Sequence, residues 1–143
     1  MTKPTPMYVC TDMIVFNRQE GRVLLIRRKN EPFKGLLALP GGFVDPTETA
    51  EAAAERELYE ETSLLLLNSE FRFFHEYSYP DRDPRGRVIS LVFYVLIDAC
   101  LHVEARDDAD KVGWYEFESI PERELSFDHH SILSDFMTEI AYA

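Results

Sequence analysis

The chain predicts an α/β fold built on a mixed sheet. Apolar, β-branched runs at 8–16, 22–28, 87–99 and 112–117 read as strands. Helical patterning is confined to 48–62 and 128–141. The strands interleave with these helices, the order expected when helices cover a sheet. At 143 residues and 45% hydrophobic content, the chain suits one domain, 1–143, with a buried core.

The elements follow in order. Residues 8–16 form the first strand, and 17–21 turn the chain at Gly21. RVLLIRR, 22–28, is the second strand. Pro32 and Gly35 break 30–35 into a loop, and 36–39 is a short strand entering a Pro40-Gly41-Gly42 turn. Helix 48–62 comes next. Asp45 or Thr47 caps it, Pro46 suits its first turn, and Glu48 either caps or leans back toward the acids that follow. The aromatic-rich segment 71–79 alternates imperfectly as a strand. Residues 81–86 turn, 87–99 make a long buried strand and 112–117 another. Asp128 caps a closing helix, 128–141.

Charge excludes some functions. The formal net charge is −11, from 15 basic and 26 acidic residues, which argues against a nucleic-acid surface of clustered Lys and Arg. A polyanionic substrate would also be repelled unless a bound divalent cation reversed the local field. No apolar run is long enough to span a membrane, and MTKPTPMY lacks the core of a signal peptide. Cys10 and Cys100 sit in apolar runs and read as buried thiols in a reducing compartment, so the cytoplasm is the expected location.

The chemistry concentrates in 42–64, GFVDPTETAEAAAERELYEETSL. On a helix Glu57 faces Glu60 and Glu61, a repulsive arrangement that a hard cation such as Mg²⁺ would turn into ligation. Ala50, Ala54 and Leu58 form an apolar stripe that Glu61 continues, with Glu57 at its edge. A carboxylate in such a seam needs a partner or a metal. Helix spacing alone fits a solvated acidic face equally well. The preceding Pro-Gly-Gly can present bare carbonyls, with Gly41 or Gly42 as a candidate ligand.

These residues resemble the Nudix box: Gly, five residues, Glu, seven residues, Arg-Glu, an aliphatic, one residue, Glu-Glu, one residue, Gly, an aliphatic. The chain supplies Gly42, Glu48, Arg56, Glu57, Leu58, Glu60, Glu61 and Leu64, and departs only at Ser63, where the family has Gly. Gly past a helix end serves a left-handed cap, so Ser63 bears on local geometry. The resemblance implies a Nudix-type α/β/α sandwich, with Glu57, Glu60, Glu61 and Gly41 around Mg²⁺, or Mn²⁺ in its place. It implies that Arg56 orients the glutamates.

Downstream, Arg82-Asp83-Pro84-Arg85-Gly86, after Tyr79-Pro80, is similar to one ADP-ribose pyrophosphatase branch, which includes the Nudix domain of NAD-related regulators. By that resemblance Pro80, Arg82 and Arg85 contact substrate, while Tyr77 and Tyr79 are candidates to stack on adenine or to fill the core. An Asp-Asp-Ala run precedes a tryptophan strand in the same branch. Asp107 or Asp108 is therefore a candidate general base or outer metal ligand, with Glu60 the competing base. Phe127-Asp128-His129 also matches and reads as structural, because adjacent His129 and His130 diverge on a helix. Phe33 and Arg27 or Arg28 are expected to border the pocket.

The function expected is metal-dependent hydrolysis of a nucleoside diphosphate linked to another group, with ADP-ribose giving AMP and ribose 5-phosphate. The alternatives are another nucleotide (NADH, a dinucleoside polyphosphate or a nucleoside triphosphate) and a non-catalytic ADP-ribose sensor. The intact glutamate cluster favours catalysis, and with the closing helix running to Ala141 and the sequence to Ala143, no winged DNA-binding domain is expected beside it. Family members are often dimers sharing the pocket, so the resemblance makes a homodimer one candidate assembly.

Overall fold

The computed structural model describes residues 3–143. Strands β1 (Tyr8–Asn17), β2 (Arg22–Arg28), β3 (Leu37–Ala38) and β4 (Gly41–Phe43) precede helix α1 (Ala50–Thr62). Strands β5 (Arg72–Tyr77), β6 (Val88–Ile97) and β7 (Ala109–Tyr115) then lead to α2 (His129–Phe136), which runs on into a π turn over Met137–Ala141. The sheet order is β3-β2-β1-β6-β5, with β4 paired to β1 and β7 to β2. β1 and β6 run parallel from Tyr8↔Val88 to Asn17↔Ile97; every other named strand pair is antiparallel.

β1 is buried on both faces, hence its unbroken apolar run. Met13 and Val15 face α1 and meet Ala54, Leu58, Leu24 and Phe93. Ile14 and Phe16 face the opposite way, toward Ile132, Leu133 and Phe136 of α2. Strand alternation thus feeds two cores and produces three layers, helix, sheet and helix.

β1 and β2 pair only at Phe16↔Val23 and Asn17↔Arg22. Beyond that point they separate. β1 continues against β4, and β2 against β3 and β7. Opening the sheet between its central strands creates the cleft described below.

Several expected boundaries move. Thr49, rather than Asp45 or Thr47, caps α1, its hydroxyl accepting from the Ala52 amide at 3.1 Å. Glu48 instead accepts from the Asp45 amide. Gly41 and Gly42 form a short strand rather than a turn. β5 stops at Tyr77 and carries a bulge between Phe73 and His75, which explains its broken alternation. β7 begins at Ala109, where exposed Asp110 and Lys111 hide it from a hydrophobicity reading. Asp128 stands at the α2 N-cap position but makes no side-chain cap bond. Its carboxylate is taken by Arg82. Cys100 is exposed, whereas Cys10 is buried.

Candidate active site

Helix α1 sets one wall of the cleft. Leu58 anchors the helix in the sheet core. One turn on, Glu61 continues that seam and is 5% exposed. Its Oε1 accepts from the Gly41 amide at 2.8 Å. Glu57, half-buried beside it, accepts from Arg56 Nη1 at 2.8 Å. Arg56 also bonds Glu60 at 3.2 Å and Glu48 at 2.6 Å, so one guanidinium gathers three glutamates. Glu60 is the most exposed of the three and is turned toward Arg56.

The two glycines matter for closeness. A Cβ on Gly42 would stand 2.5 Å from Glu57 Oε1, and one on Gly41 would stand 2.0 Å from the Thr11 carbonyl. Any side chain at either position would fill the space against the glutamates or break the β1–β4 pairing.

A further acid, Asp108, comes from residues 98–108. Glu104 and Arg106 donate their amides to the carbonyls of Thr62 and Glu61, at 2.8 and 3.1 Å. Asp108 is held from the other side. Its carbonyl accepts from the Lys29 amide and its Oδ1 from Asn30 Nδ2 at 3.2 Å. Asp108 thereby faces the same cleft as Glu57 and Glu61.

The opposite wall is cationic. Arg85 is fixed by Asp83, with bonds of 3.0 and 2.7 Å, and its guanidinium lies 4.7 Å over the Phe43 ring. Arg28 donates to the Pro32 carbonyl at 2.7 Å and lies 5.1 Å over Phe127, a ring Arg85 shares at 5.2 Å. Phe33 packs on Phe127 with centroids 4.7 Å apart. Arg27 turns away to the Gly35 carbonyl.

Electrostatics mark both walls. Burial pushes Glu57 up to about 7 against the opposing pull of Arg56. Burial, with Glu57, Asp108 and Asp12 nearby, holds Glu61 well above the usual carboxylate range. Burial and the neighbouring Arg85 lower Arg28. Like charges thus crowd on each wall, a strain that a cation on one side and an anion on the other would relieve.

At the floor, Asp12 is buried beneath Gly41. It accepts from Ser90 Oγ at 2.5 Å, and His129 Nε2 lies 3.4 Å away. His129 Nδ1 accepts from the Leu39 amide at 3.0 Å, so the ring proton sits on Nε2, facing Asp12. Burial raises Asp12, but His129, Ser90 and Arg82 outweigh it and hold the carboxyl below its ordinary range.

The sequence-derived candidates thus divide. Glu57, Glu61, Gly41, Asp108, Arg56 and Arg85 come together around one cleft. Arg82 reaches only its deep end, where it grips Asp128 through bonds of 2.9 and 2.7 Å. Tyr79 and Pro80 line a separate depression with Tyr77 and Asp135. Asn30, Phe43, Asp12 and the packing role of Phe127 had no sequence signal, because each is defined only by contacts across the fold.

A hard divalent cation fits the donor set. Glu57, Glu61 and Asp108 offer oxygen donors, and among the described residues only Glu57 of the three has an ion-pair partner, Arg56. In this arrangement Glu57 turns to Arg56 and Glu61 to Gly41. Among the described residues no three acids, His or Cys converge as a preformed cage.

The model of the NUDIX domain matches residues 8–136, and the chain belongs to that family. Fold and cleft together are those of a Nudix hydrolase, a class that depends on divalent metal. The chain is similar to "ADP-ribose pyrophosphatase" of Methanocaldococcus jannaschii, 43% identical over 90% of this chain and 72% of that protein. It is 32% identical to "ADPR responsive transcriptional repressor NtrR" of Acinetobacter baylyi, over 91% of this chain and 52% of the other. Among solved structures, a bifunctional NMN adenylyltransferase/ADP ribose pyrophosphatase from Francisella tularensis, complexed with AMP and a Mn ion, superposes with a TM-score of 0.85. It is 33% identical, over 96% of this chain and 43% of that one.

Proposed function

We propose that this protein is a Mg²⁺-dependent ADP-ribose pyrophosphatase that yields AMP and ribose 5-phosphate. One observation carries the reading: a single cleft sets Glu57, Glu61 and Asp108 opposite Arg28 and Arg85. A linear diphosphate needs both walls. The 43% identity to an ADP-ribose pyrophosphatase supports this substrate over other nucleotides.

Glu57 and Glu61 would hold the cation, with Glu60 turning from Arg56 to share it and the carbonyl of Gly41 or Gly42 adding a donor. Bound there, Mg²⁺ supplies Lewis acidity and neutralises diphosphate charge. Arg56 aligns Glu57, Glu60 and Glu48 and opposes the upward shift of Glu57. Arg28 and Arg85 bind the non-bridging phosphate oxygens and stabilise charge as the P–O–P bond breaks. Asp108 takes the proton from the attacking water. The water oxygen ends on one phosphate, and the bridging oxygen leaves with the other.

The test is to incubate purified protein with ADP-ribose, NADH, diadenosine polyphosphates and nucleoside triphosphates, with Mg²⁺ or EDTA, and separate the products. Metal-dependent AMP and ribose 5-phosphate, formed fastest from ADP-ribose, is the expected result. Faster cleavage of another substrate overturns the specificity. Ligand-induced thermal stabilisation without product indicates a sensor.

A further inference from the structure

Ser63 stands where the family pattern has Gly, and it keeps the backbone that Gly would adopt. Its φ is 64° and ψ 7°, a left-handed conformation costly for a residue with a Cβ. Its amide closes α1 on the Tyr59 carbonyl at 2.9 Å. Its hydroxyl does something Gly cannot: Oγ donates to the Glu104 carbonyl at 3.1 Å.

That bond reaches a short strap. Residues 104–108 lie across the end of α1, pinned by the Glu104 and Arg106 amides on Thr62 and Glu61. The Arg106 guanidinium sits 4.8 Å over the Tyr59 ring. Asp107 is left-handed, at φ 50°, and delivers Asp108 to the cleft. The carbonyls used are those of Glu61 itself and of its neighbour Thr62. The helix end that aims Glu61 is therefore the anchor of the strap that aims Asp108.

We infer that Ser63 is a positioning residue: its hydroxyl fastens the 104–108 strap to α1 and so fixes Asp108 relative to Glu57 and Glu61. The inference rests on the reading of Asp108 as general base. Ser63 lines neither wall of the cleft, so it acts through Asp108.

Ser63→Gly separates the role from stability, because Gly relieves the backbone while removing the hydroxyl. The variant should melt at or above the wild-type temperature. Its kcat on ADP-ribose should fall roughly tenfold with KM unchanged, since small misplacement of a catalytic group is costly. Amide exchange at Glu104 and Arg106 should quicken. Ser63→Asn, which tolerates the left-handed region and carries an amide donor, should recover most of the lost kcat. Wild-type kcat and wild-type exchange in Ser63→Gly overturn the tether. Asp108→Asn, assayed beside it, distinguishes the two failures. Lost turnover there with normal Ser63→Gly kcat rejects the tether alone, whereas normal turnover in Asp108→Asn rejects the role of Asp108 on which the tether rests.

Discussion

The main-chain amide of Gly41 donates to Oε1 of Glu61 at 2.8 Å and is that carboxylate's hydrogen-bond partner in the fold. Glu61 therefore depends on β4 for its orientation, and the proposed cation would balance its charge. Glu61→Gln keeps an oxygen for the Gly41 amide but removes the charge. Glu61→Gln and Glu57→Gln should each lower kcat by about 10²–10³-fold, the loss of several kcal/mol of metal-borne stabilisation. Their melting temperatures in EDTA should equal or exceed wild type, because each removes a buried charge. Steady-state assays and thermal melts check both.

Gly41 and Gly42 should fail in different ways. Gly42→Ala places its Cβ 2.5 Å from Glu57 Oε1, against a side chain that can rotate away. It should fold and lose metal affinity. Gly41→Ala meets the Thr11 carbonyl at 2.0 Å, against backbone that cannot. It should lose about 1–3 kcal/mol of stability or more, as overpacked sites do. Titration calorimetry and denaturant melts separate the two.

The two downstream arginines should also diverge. Arg85 faces the cleft while Arg82 is buried against Asp128. Arg85→Ala, like Arg28→Ala, should cut kcat/KM by about 10–100-fold, the scale of a charge-assisted hydrogen bond. Arg82→Ala leaves Asp128 and Asp12 without their cation. It should cost about 3–5 kcal/mol in stability, as when a buried pair is broken. Comparable kcat/KM losses without destabilisation in both would contradict this division.

The metal-free protein should weaken as pH rises. Glu57 moves from an ordinary 4.5 to about 7 in the fold, so the folded chain binds its proton more tightly than the unfolded chain. That contribution is fully present below about 4.5 and is lost as pH climbs through about 7. Glu61 is shifted in the same direction. The melting temperature in EDTA should therefore fall across this window. The stabilisation given by Mg²⁺ should grow over the same window, since cation and proton compete. Glu57→Gln should flatten both trends. An EDTA melting curve that is level across the window contradicts the assignment.

The sequence made the acid wall legible because its residues share one helix, where spacing translates into direction. Glu57 and Glu61 could be placed against Leu58 by counting. The β1 and β6 strands were legible because burial on both faces leaves an unbroken apolar run. The glycines depart from the expected turn: they serve close approach in an extended strand. The cationic wall was only half visible. Arg85 was marked by resemblance, but Arg28 could not be told from Arg27, because only contacts across the fold, Arg28 to Pro32 and Phe127 and Arg27 to Gly35, show which one faces the cleft. Asp12 and His129 lie at opposite ends of the chain, and only the parallel β1–β6 pairing and the docking of α2 bring them beneath Gly41. The turn arginine Arg82 looked equivalent to Arg85 until burial distinguished them.

The most direct test is the rate of ADP-ribose cleavage by wild type in Mg²⁺, by wild type in EDTA, and by Glu61→Gln in Mg²⁺. The first should release AMP and ribose 5-phosphate, and the other two should fall by about 10²-fold or more. Equal rates in all three, or no cleavage in the first, would contradict a cation held by Glu61 as the centre of the chemistry.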